Sequence, residues 1–328
     1  MPAAWIPLLA LAFLLRACSA AAEAAEPPVL NGFKLAPASV PTSRILVGSP
    51  ARDGIPALTQ PRWLPASEAP WHNDEIVVGV VQGEQARAYP IAILNWHELV
   101  NDTLGGRHIL VSYCPLCGTA LVFDREADGR ARTFGVSGLL YQSDLLLYDR
   151  ESESLWSQIA ATAIVGPAMG ERLRVLRSAL LPWGDWKARH PRTQVLSLDT
   201  GYQRPYARDP YPGYSTSDTL MFPAPLDQRY HPKMPTLGLR LATGAARAYP
   251  AQEVQRAGGL VQESFEGHPV QVRYQTESKV FEVEAPLELE VIEGYWFAWA
   301  AFHPGTTVFV ADTEATQSGE EKAAAPTP

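Results

Sequence analysis

The pentapeptide Ala-Arg-Ala-Tyr-Pro occurs twice, at 86–90 and again at 246–250, and this internal repeat constrains the fold more than any other feature of the chain. Carried onward without a gap, the two segments pair Val100 with Leu260, His108 with His268, Leu110 with Val270, Leu121 with Phe281 and Phe123 with Val283. Upstream, EIVVGVVQGEQARAYP matches PTLGLRLATGAARAYP with one residue of slippage in a turn, as a β-hairpin tolerates. A second shared block pairs Trp183 with Trp296, Trp186 with Trp299, His190 with His303, Pro191 with Pro304 and Thr193 with Thr306. Trp at i and i+3 with His at i+7 share one helical face, and the proline stops the helix. Each copy reads as hairpin, helix, two strands, aromatic-faced helix and closing strand. The expected fold is α+β: two similar β-rich halves from an internal duplication, the first half with an inserted β segment.

The expected domain occupies 30–312. Its first half is 75–200 with the insertion at 124–171, a Tyr- and Pro-rich linker loop covers 201–236, and the second half is 237–312. Within the insertion LLLYD reads as strand, while Ser137-Gly138 and Gly166-Pro167 mark turns. The polar tail 313–328 reads as disordered. At 46% hydrophobic residues the chain can bury a real core, and its net charge of -8 argues against a nucleic-acid partner.

Residues 5–15, WIPLLALAFLL, are too short to span a bilayer, which takes about 20 helical residues, and small residues follow; 1–25 reads as an export segment. Leu15-Arg16-Ala17-Cys18 is lipobox-like, so a lipid on Cys18 would attach the chain to a membrane, whereas plain cleavage would release it. The expected location is the periplasm of a bacterium or, as a lipoprotein, its membrane surface.

The duplication acts as a filter: what both copies share belongs to the fold, and what one copy holds alone points to chemistry. His108/His268 and His190/His303 therefore read as structural. Cys114 and Cys117, by contrast, align with Tyr274 and Glu277, and His97 with Ala257. Cys114-Pro115-Leu116-Cys117-Gly118 lies between two apolar strands; a thioredoxin-type pair would open a helix, so the pattern is closer to a metal knuckle. Three readings stand: a redox-active dithiol that needs no cofactor, with His97 holding a thiolate; a copper or zinc site of Cys114, Cys117 and His97, with a carboxylate or another histidine; or a structural disulfide in a non-catalytic binding module that uses the 201–236 loop. His97 is placed on a helix running through IAILNWHELVND, with Glu98 beside it. Tyr141, Asp144, Asp149, Trp156 and Gln158, together with Tyr148 and Ser154 of the insertion, are candidates to line the site. The chain has no Gly-rich phosphate loop, no nucleophile elbow and no HExxH, which speaks against kinases, serine hydrolases and common zinc proteases.

The segments VSYCPLCGTALVFDR, SGLLYQSDLLLYDRESESLWSQ and WFAWAAFHPGT, with GSPARDGIPAL and LNWHELVND, resemble a bacterial family called domain of unknown function 3179, over about residues 30–312. The resemblance implies an exported or membrane-associated protein. Some relatives carry selenocysteine in the cysteine motif, which implies redox use of the pair: a thiol-dependent oxidoreductase-like protein acting on an exported redox partner or a small substrate.

Overall fold

A computed structural model describes residues 26–48, 51–127 and 129–312. The expected export segment, Cys18 and the tail lie outside the described residues. No helix among those described is long and apolar enough to cross a membrane.

In each copy the ARAYP strand is the second arm of a hairpin. Ile76–Gln82 pairs with Gln85–Pro90, and Pro235–Arg240 with Ala246–Pro250. A short helix follows directly, α1 (Ile91–His97) in the first copy. In the second copy the corresponding helix is Ala251–Arg256. Both start after a proline in extended conformation, which sets the chain for the first helical turn without needing a side-chain cap. The outer strand of each hairpin is joined by the strand leading to the Trp helix: Ala179–Pro182 on Ile76–Gln82, and Glu290–Tyr295 on Pro235–Arg240. The inner strand is joined in parallel by the closing strand, Gln194–Leu196 or Thr307–Val308.

The Trp helices carry equivalent contacts. The indole N–H of Trp186 donates to the Thr193 hydroxyl at 2.8 Å, and that of Trp299 to Thr306 at 3.0 Å. Their rings pack at a tilt against His190 and His303 with centroids 4.2 and 4.0 Å apart. Gly79 and Gly238 lie beneath the two indoles, where any β-carbon would collide with the ring. Burial lowers the pKa of both histidines, that of His303 to about 3, so they serve as neutral packing groups.

The fold class, however, differs from α+β in two halves. Of the described residues 42% are strand and 13% helix, and the five main sheets are arranged as a five-bladed β-propeller. Two sheets are those built on the ARAYP hairpins. Two more follow the short helices: Leu99–Leu104, Arg107–Cys114, Thr119–Asp124 and Arg174–Leu176 in one, and Leu260–Phe265, His268–Gln275 and Val280–Glu284 in the other. The fifth comes from the insertion: Phe134–Tyr141, Asp144–Asp149, Leu155–Ser157 and Thr162–Val165, joined at its edge by Ile45–Val47. Each α-helix among the described residues has only six or seven residues, too few to form a layer of its own. A sheet built from the inserted segment leaves no division into two halves.

Local expectations shift with it. The sequence IAILNWHELVND is helical only as far as His97, and Leu99–Leu104 is a strand because pairing with Arg107–Cys114 overrides its helical pattern. Three strands, rather than two, follow the helix. Ser137-Gly138 is a bulge inside a strand, with Gly138 at φ +71°, rather than a turn.

Candidate metal centre

The strand Arg107–Cys114 ends at Cys114, whose backbone faces Thr119 on the returning strand. Between them the Cys117 N–H donates to the Cys114 carbonyl at 3.2 Å. Gly118 then turns at φ +62°, and a β-carbon there would lie 2.9 Å from the Tyr295 ring, so both the backbone angle and the close approach require glycine. The Cys117 carbonyl accepts from the Tyr295 N–H at 2.8 Å and the Thr119 hydroxyl at 3.2 Å, which stitches the cysteine turn of the first copy to the second. Both cysteines are free thiols, 1% and 0% exposed.

The inserted sheet delivers the third group. Its central hairpin turns through Gln142 and Ser143, both at positive φ, the two-residue arrangement that matches strand twist. That turn brings the Ser143 carbonyl and the Asp144 carboxyl to Cys117, whose sulfur lies 3.4 Å from the former and 3.8 Å from Asp144 Oδ1. Asp144 Oδ2 accepts from the Ser157 hydroxyl at 3.2 Å and the Ile159 N–H at 3.1 Å. The two sulfurs and an Asp144 oxygen lie within 4.8 Å of one another, all buried.

Glu98 is the second acid. It caps α1 at φ +57°, its N–H donates to Leu94 at 2.7 Å, and its carbonyl accepts from the N–H of Tyr113, the residue before Cys114. Burial first, and the Asp144 charge second, push its carboxyl up to about 8. Burial lifts Asp144 to about 7 against its hydrogen bonds, and lifts the Cys117 thiol with help from Cys114. Among the described residues neither acid takes part in a salt bridge.

Four tyrosines surround the thiols: Tyr113, Tyr211, Tyr214 and Tyr295. Burial raises all four, Tyr295 to about 12, and the cysteines add to the shift in each case. Tyr211 and Tyr214 come from the 201–236 loop. Lys233 holds that loop by donating to the carbonyls of Tyr214, Ser217 and Thr219 at 3.0–3.2 Å, with its ammonium 3.5 Å from the Tyr214 ring centre.

The other expected residues divide. Gln158 supports the site: its amide donates to Ser112 at 2.9 Å and to the Thr119 carbonyl at 3.1 Å. His97 is placed elsewhere, which corrects its grouping with the cysteines. Its Nδ1–H donates to the Pro56 carbonyl at 2.8 Å, and its Nε2 accepts from the Tyr206 hydroxyl at 2.7 Å. Because the helix stops at His97 and the chain turns at Glu98, it is the glutamate carboxyl that feels the Asp144 charge, while the histidine ring is turned to Pro56 and Tyr206. Asp149, at the other end of its strand, accepts from the Trp156 indole and from Ser152, with Trp156 in the core. Tyr141 packs on Phe302. None of these three belongs to the cysteine and aspartate group. The four tyrosines are the residues that motif spacing missed; the Tyr-rich 201–236 loop was the visible signal for Tyr211 and Tyr214, while Tyr113 stands directly before Cys114 and Tyr295 directly before the second Trp helix.

Fold and site together define a β-propeller with a buried pair of thiols facing carboxyl groups. The chain belongs to the family described as Protein of unknown function (DUF3179), whose model matches residues 52–286. No curated protein and no solved structure matches it.

Proposed function

We propose that the protein is a metal-binding protein whose centre is formed by Cys114, Cys117 and Asp144, with Glu98 at its edge. The observation that carries this reading is the convergence of three ligand atoms of the right chemistry within 4.8 Å of one another in a buried site. Two thiolates alone suit copper(I) or zinc, and carboxylates suit harder cations; a mixed set of the two is best matched by zinc. The charge balance agrees: two thiolates and a carboxylate that is buried with no salt bridge among the described residues are costly unless a divalent ion joins them. Three protein ligands leave zinc a fourth position, where a water or a substrate oxygen could bind and be polarised. The Ser157 and Ile159 donors to Asp144 orient that ligand, as outer partners of metal ligands do.

Thiol exchange with a protein partner is less well supported by this geometry. It requires an accessible thiolate, whereas both sulfurs are buried and burial holds Cys117 in its thiol form. Export and lipid attachment remain part of the proposal on the strength of residues 1–25 alone.

Elemental analysis tests the reading. Full-length protein purified without chelator should contain about one zinc per chain, and the Cys114→Ser/Cys117→Ser variant should contain none while remaining folded. Wild-type protein that stays metal-free after incubation with zinc would refute it.

A further inference from the structure

The two copies differ in a further chemical feature besides the cysteines and His97. On the strand entering the Trp helix, Leu180 of the first copy pairs with Val78, and at the equivalent place Glu293 of the second copy pairs with Leu237. The fold is therefore satisfied by a leucine at this position. Glu293 instead places a carboxyl beside a cavity of about 730 Å³, walled in part by Tyr113, Tyr274, Phe281 and Tyr295 and reaching Gly118 of the cysteine turn. The only hydrogen bond it accepts among the described residues is a long one, 3.4 Å from the Phe281 N–H, and it takes part in no salt bridge. Burial pushes its carboxyl up to about 8, as expected of an acid without a counter-charge.

The cationic side chains that reach the same cavity are otherwise engaged or open to water. Lys233 is held by three carbonyls, His231 Nε2 lies 2.7 Å from Asp218, and Lys279 is exposed. Four aromatic rings and one unpaired carboxyl in a concave site form the usual environment for an organic cation: ring faces attract the charge and the acid neutralises it.

We infer that this cavity is a binding site for a small organic ammonium ion, with Glu293 as its counter-charge and the tyrosine and phenylalanine rings as its walls. The inference stands independently of the metal. The cavity does reach the cysteine turn at Gly118, so a guest would sit beside the proposed centre.

Calorimetric titration of the full chain with choline and with its uncharged isostere 3,3-dimethylbutan-1-ol tests it. Wild-type protein should bind choline at least about tenfold more tightly than the alcohol, the discrimination expected from a cation over rings plus one half-buried charge pair. Glu293→Gln, and Glu293→Leu carrying the residue of the first copy, should lose that preference while still binding the alcohol weakly, which shows that the cavity is intact. Equal affinity for the two probes, absence of choline binding, or a preference that survives both substitutions would overturn the inference. Zinc content measured on the same samples keeps the two proposals apart: loss of choline binding with zinc retained concerns the cavity alone.

Discussion

Replacing Asp144 by asparagine should stabilise the metal-free protein at high pH while abolishing its affinity for zinc. Asp144 is fully buried, and its carboxyl is lifted from 3.8 to about 7. A folded-state pKa above the unfolded value means that the folded protein binds the extra proton. The contribution of Asp144 to stability is therefore intact below pH 4 and is lost as pH rises through the window from 3.8 to 7. At about 1.4 kcal/mol for each pH unit, the full cost approaches roughly 4 kcal/mol, an upper bound because buried carboxylates relax and admit water. Asparagine keeps an oxygen for the Ser157 and Ile159 donors and carries no charge to desolvate. The assay is urea unfolding followed by tryptophan fluorescence, in chelator, at pH 5 and pH 8. Wild type should lose about 1–4 kcal/mol between the two, and Asp144→Asn should lose clearly less, with the difference shared with Glu98 because the two acids interact. Saturating zinc should restore the wild type at pH 8 and leave the asparagine variant unchanged. Identical pH dependence in the two proteins without metal would refute the reasoning.

Three further outcomes follow from named contacts. Gly118→Ala should destabilise the protein by about 1–3 kcal/mol, since it adds a β-carbon at positive φ against the Tyr295 ring; thermal unfolding checks this. Lys233→Met strips the donors from three carbonyls and should raise proteolysis within 201–236 at least several-fold, read by limited digestion and mass spectrometry. His97→Ala should leave zinc content unchanged, because its ring serves Pro56 and Tyr206; elemental analysis decides, and loss of zinc with the fold retained would return this histidine to the centre.

The cysteine turn was legible because its signals are local: two apolar strands, a proline, and a glycine where the backbone must turn. Duplication made it stand out, and the same comparison exposes Glu293 against Leu180. Asp144 was legible only as one candidate among several, since nothing local distinguishes it from Asp149 on the same strand; the Gln142-Ser143 turn decides which acid meets the sulfurs. The choice between His97 and Glu98 depended on where a helix ends, and that end is set by pairing of Leu99–Leu104 with a strand, a contact beyond the reach of periodicity. The fold class was missed for a related reason. Short helices between hairpins suggest alternating layers, but six or seven residues close a crossover without building a layer, and the inserted residues form a whole sheet of their own.

X-ray absorption at the zinc edge, on protein loaded with one equivalent, tests the central claim most directly. The account predicts two sulfur neighbours at about 2.3 Å and oxygen neighbours at about 2.0–2.2 Å, the sulfur signal vanishing in Cys114→Ser/Cys117→Ser. A spectrum with no sulfur neighbours, or with four sulfurs drawn from two chains, would contradict it.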